Sequence, residues 1–74
     1  MAVNYNKLWK LMIDKNISKS QLRMNSRVST NVIAKLGRNE PVSIQTLSKI
    51  CTTLHCDIGD IMEINLDNEV EANG

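Results

Sequence analysis

Between Lys15 and Glu40 the sequence concentrates side chains whose types and spacing suit recognition of a polyanion. Ser29, Thr30, Asn31, Ala34 and Lys35 share the outer face of a short predicted helix whose other face carries Val28, Ile33 and Leu36. Hydroxyl, amide and ammonium groups read base edges: an Asn amide suits a bidentate contact with adenine, and Lys donates to guanine. Ser29 also reads as the N-cap of its helix, and Thr30 and Asn31 as ordinary exposed residues. Val32 lies outward by periodicity, either against a thymine methyl or partly buried.

The charge distribution carries more than the net charge of +1. From Lys15 to Glu40 six cations (Lys15, Lys19, Arg23, Arg27, Lys35 and Arg38) face Glu40 alone, a net of +5. From Asp57 onward six acids stand without a Lys or Arg, a net of −6. A basic middle beside an acidic end points to a polyanionic partner for the middle, although charge by itself also describes a solvated face.

Cys51, His55 and Cys56 resemble a metal-ligand cluster, but Cys51 falls on an apolar helical stripe, Cys56 sits in an apolar corner and a fourth ligand is missing. Cys51 and Cys56 are read as core residues and His55 as the end of its helix, with no metal and no cofactor. A single His without a nucleophile at workable spacing gives no catalytic constellation, so an enzyme is not expected. With two closely spaced cysteines, no apolar run of membrane-spanning length and no signal-type N-terminus, the expectation is a protein of the reducing cytoplasm, at the nucleoid.

The elements that position these residues are short. Tyr5, Leu8, Trp9, Leu11 and Met12 recur at helical steps, predicting a first helix over about Tyr5 to Lys15, closed by Asn16. Ser18 with Gln21 forms a capping-box pattern opening a second helix, with Leu22 and Ser26 inward. Asn25-Ser26-Arg27 reads as a turn and Val28 as an apolar anchor. Ser29 caps a third helix through about Leu36, stopped by Gly37, and Arg38 to Pro41 makes a polar loop. Ser43 caps a fourth helix with Ile44, Leu47, Ile50, Cys51 and Leu54 as its buried stripe, ending near His55. Asp57 caps a short fifth containing Ile58, Ile61 and Met62. The four methionines are read first as gap-fillers. The expected fold is all-α, a compact bundle of five short helices over residues 1–64. Residues 65–74 are read as an acidic frayed tail, with a short edge strand as the alternative.

From Leu8 to Glu63 the sequence resembles the Cro/C1-type (XRE-type) helix-turn-helix domain, without a gap. The resemblance runs through Ile17-Ser18, Leu22, Val28-Ser29, Ile33, Lys35-Leu36-Gly37-Arg38-Asn39, Val42-Ser43, Leu47, Ile50-Cys51, Leu54 and Cys56 to Met62. It implies a lambda-repressor-like bundle that binds double-stranded DNA, probing the major groove with its third helix. It further implies a regulator, expected to be a repressor acting as a homodimer on a palindromic operator. Ser29, Thr30, Asn31 and Lys35 take the positions of base contacts, and Lys19, Arg38 and Asn39 those of phosphate contacts. Two residues depart from the pattern: Arg23 stands where a small residue packs on the third helix, and Arg27 where the turn often has Gly. Both set cations beside the DNA-facing side, so both are added as phosphate contacts, with Arg27 expected at positive φ. The acidic tail leaves open an antitoxin-type regulator with a basic partner protein, and a helical interaction module without DNA binding is the remaining alternative.

Overall fold

The computed structural model describes residues 2–65. In chain order these form β1 (Ala2–Asn4), α1 (Asn6–Lys15), α2 (Lys19–Ser26), α3 (Thr30–Gly37), α4 (Ile44–Leu54), a 3₁₀ turn (Ile58–Asp60) and β2 (Glu63–Asn65). Serines start three of the helices: the side chains of Ser18, Ser29 and Ser43 accept the backbone N–H of Gln21, Val32 and Thr46. At Ser18 the capping box is complete, because Gln21 Oε1 accepts the Ser18 N–H at 2.8 Å. Such a cap stabilises a helix by about 1 kcal/mol, which matters for helices of eight residues.

All four helices end alike. A non-glycine residue turns left-handed (Asn16, Arg27, Asn39 and His55, φ 55–59°). The next residue then donates its N–H five positions back, as Ile17 to Met12, Val28 to Arg23, Glu40 to Lys35 and Cys56 to Cys51. This closure satisfies carbonyls that the helix leaves unpaired. It corrects the assignment of Gly37, which is the last helical residue, while the left-handed position falls two residues on at Asn39. Asn tolerates that conformation, and its Oδ1 is used there to accept the Tyr5 N–H at 3.3 Å.

The core joins Tyr5, Leu8 and Met12 of the N-terminal part to Leu22, Val28, Leu36, Leu47, Ile50, Cys51, Leu54 and Ile61, with α2 packed across α4. Ser26 is buried and satisfied, its hydroxyl donating to the Leu22 carbonyl. Two expectations fail. Ile44, assigned to the α4 stripe, is 64% exposed, because it occupies the first position of α4, one turn beyond the Leu47 end of the core. Met24 is 61% exposed, since two residues on from Leu22 is about 200° around the helix.

Four α-helices replace the expected five among the described residues, and a small sheet joins them. The segment after Asp57 has helical spacing, but its hydrogen bonds run Asp60 to Asp57 and Ile61 to Ile58, a single 3₁₀ turn closed by one further bond from Met62 to Ile58. Gly59 inside it weakens helix by about 1 kcal/mol, and the tight turn suffices to bury Ile61. The chain then runs out as β2, antiparallel to β1 with Val3 opposite Ile64. The edge-strand alternative thus describes Glu63–Asn65, and Asn65, assigned to the tail, is paired with Ala2. The rest of the acidic tail lies outside the described residues, as does its role toward a partner protein.

Candidate nucleic-acid interface

Helices α2 and α3 meet at a turn of three residues. Arg27 holds it at φ 58°, ψ 42°, as its place in the sequence requires, at a conformational cost of about 1 kcal/mol or more for a residue with a Cβ. Buried Val28 anchors the far side of the turn to the core. Ser29 is extended and exposed, and its Oγ is committed to the Val32 N–H at 3.2 Å, so its hydroxyl proton remains to be donated outward.

On α3 the two faces separate as the sequence indicates. Leu36 is buried, and Val32 and Ile33 are half-buried against the core. Ser29, Thr30, Asn31 and Ala34 are exposed, whereas Lys35 is half-buried. The face therefore offers hydroxyl and amide groups on a backbone that protrudes little beyond Cβ, a shape a major groove about 12 Å wide accepts.

Charge surrounds this face. None of α2, α3 and α4 has an acidic residue in its first turn, so the positive ends of three helix dipoles stay uncompensated, the condition that favours anions. Lys19 and Arg27 are exposed, and Arg23 is half-buried, consistent with a stem laid along the packing surface. Arg38 and Asn39 differ from expectation in what they already do. The Arg38 guanidinium donates to both carboxylate oxygens of Glu40, at 2.7 and 3.4 Å, which holds the Glu40 carboxyl below its ordinary range. A phosphate would have to displace that acid. Asn39 has its Oδ1 on Tyr5, leaving only its NH₂ free.

Two supporting residues escape sequence reasoning. Tyr5 is buried and ties the N-terminus to the loop after α3, its hydroxyl donating to the Glu40 carbonyl at 2.8 Å. Trp9 lies beneath the Lys19 ammonium, 4.8 Å from ring centroid to Nζ. Both act on residues more than a helix-turn away, so period alone does not reveal them.

Cys51 and Cys56 are free thiols, Cys51 buried and Cys56 half-buried. Burial, reinforced by Cys56, pushes the Cys51 thiol up to about 11. Among the described residues no group of three or more His, Cys, Asp or Glu side chains is placed to hold a metal ion, and no helix is long and apolar enough to cross a membrane.

A serine-capped helix, a three-residue turn and a second helix with a polar outer face define a helix-turn-helix unit. The chain belongs to the Cro/C1-type HTH DNA-binding domain family, which matches residues 7–67. It is similar to the crystal structure of the transcriptional regulator VanUg, with 53% identity, a TM-score of 0.81, and coverage of 84% of this chain and 83% of that one. No curated protein matches the chain.

Proposed function

We propose that this protein is a transcriptional regulator that binds a specific double-stranded DNA sequence with α3 in the major groove. The observation that carries this is the exposed face of Ser29, Thr30 and Asn31 at the uncompensated positive end of α3. Asn31 pairs with adenine and Lys35 with guanine, while Ser29 and Thr30 donate hydroxyl protons to base edges. Lys19, Arg23, Arg27, Arg38 and Asn39 meet phosphates and set register without specifying sequence. The unit is residues 1–64, acting in the cytoplasm at the nucleoid. It acts as a homodimer on a palindromic operator, two copies of α3 standing about 34–36 Å apart, and represses by occupying that site. The similarity to a transcriptional regulator over most of both chains supports the reading.

The test is selection from random duplexes, followed by titration of the winner and a scrambled duplex at several salt concentrations. The expected outcome is a two-fold-symmetric winner bound at least about a thousandfold more tightly than the scrambled duplex. Equal binding to both sequences would refute sequence-specific regulation, and no binding at low salt would refute the DNA reading altogether.

A further inference from the structure

We propose that Trp9 is a positioning residue for phosphate recognition: its indole face holds the Lys19 ammonium at the start of α2, ready for the DNA backbone. This rests on the reading in which Lys19 meets a phosphate.

Lys19 is the first residue of α2, the positive end of the helix dipole, where an acid is favoured and a cation is not. The first turn holds no acid, and among the described residues no carboxylate forms an ion pair with Lys19. A residue that runs against the local rules of its own helix, yet receives specific support from another helix, marks a function rather than a fold requirement. The support comes from α1. Trp9 is half-buried against the core, and its ring centroid lies 4.8 Å from Lys19 Nζ, inside the roughly 6 Å over which a ring quadrupole attracts a cation.

The nature of that support matters. Arg38 is held by the Glu40 carboxylate, which offsets its charge and occupies two of its five donors. An indole face is neutral, so Lys19 keeps its full charge, and its N–H groups that do not face the ring stay available to an acceptor. A lysine loses considerable side-chain freedom when fixed on a phosphate. One already resting on a ring has lost part of that freedom before DNA arrives. Met12, Ile13 and Ile17 line the same groove as Trp9 and Lys19, and this apolar wall confines the lysine stem.

The test compares wild type with Trp9→Leu, Trp9→Phe, Lys19→Met and the Trp9→Leu/Lys19→Met double variant, by fluorescence-anisotropy titration of the full chain against labelled duplex across a salt series. Trp9→Leu is expected to weaken binding by about two- to fivefold on any duplex. Its slope of log affinity against log salt stays unchanged, since no charge is lost. Lys19→Met lowers that slope by about one, Trp9→Phe recovers most of the affinity, and Trp9→Leu has no further effect in the Lys19→Met background. In the free protein the Lys19 ε-methylene protons resonate upfield through the ring current, and Trp9→Leu abolishes this shift. Because Trp9 also packs on the core, the wild-type NMR spectrum and Trp9→Phe keep the test decisive if Trp9→Leu unfolds.

An equal loss from Trp9→Leu with and without Lys19, or unshifted ε-methylene protons, overturns the positioning role and leaves the phosphate contact standing. An unchanged affinity and slope for Lys19→Met overturns both the phosphate contact and the proposal built on it.

Discussion

Helices α3 and α4 each start at a serine cap and each close through a left-handed residue, yet the structure holds them by different means. Along α4, Leu47, Ile50, Cys51 and Leu54 are buried, so its stability comes from the length of its apolar stripe. Along α3 only Leu36 is buried. It is held at its ends, by Ser29 before it and by the Asn39–Tyr5 and Tyr5–Glu40 hydrogen bonds behind it. One helix is a scaffold. The other is a surface fixed at both ends, and fixing it this way leaves Thr30, Asn31 and Ala34 exposed on its outer face.

The largest expected effect is at the scaffold. Ile50→Ala removes a fully buried side chain and costs about 2–5 kcal/mol, a large share of a small domain's stability. Thermal melting followed by circular dichroism should show loss or severe lowering of the cooperative transition. Asn31→Ala should do the reverse, leaving the melt within about 0.5 kcal/mol of wild type while weakening operator binding by about 1–3 kcal/mol. A comparable drop in melting temperature for Asn31→Ala would break the contrast between the two helices.

Ser29→Ala tests the end-fixing itself: loss of its bond to Val32 should cost about 1 kcal/mol and weaken DNA binding together with stability. Arg27→Gly should raise stability by up to about 1 kcal/mol by relieving the left-handed Cβ, and should lower the salt slope of DNA binding by about one. A gain in melting temperature with the slope unmoved would mean that Arg27 carries strain without meeting phosphate.

The last effect appears only at alkaline pH. Folded Cys51 holds its proton more tightly than an exposed thiol, with its ordinary value of 9.0 raised to about 11, and burial raises the Tyr5 hydroxyl in the same direction. The contribution of Cys51 is therefore complete below pH 9 and fades as pH rises through about 11. Melting temperature measured against pH should fall over that window, and less steeply in Cys51→Ala.

Much of this was legible in the sequence because it is local. Serine caps, the Ser18–Gln21 box, left-handed Asn16 and Arg27, and the inward Leu22, Leu36, Leu47 and Leu54 depend on neighbours within one or two turns. What was not legible depends on distant partners. The Asn39 amide reads as a free surface group until Tyr5 arrives from 34 positions away; the Arg38 partner Glu40 is only two residues on, but the pair forms through irregular loop backbone that no period describes. Ile44 fits the period of α4, but period does not say where the core stops. The fifth helix fails because spacing records which residues turn inward, not how many turns are needed. Ala2–Asn4 is too short to show any period, and its partner lies at the other end of the described chain.

That last pairing bears on the order in which the molecule assembles. Joining Ala2 to Asn65 closes nearly the whole described chain into one loop for the sake of three paired positions. The entropy of such a closure grows with loop length, and a two-stranded sheet alone is only marginally stable in water. The four helices pack without it, so the strands are expected to join last during folding and to separate first. Their amide hydrogens should exchange with solvent through this local opening, well before those of α4, which are released only when the whole domain unfolds.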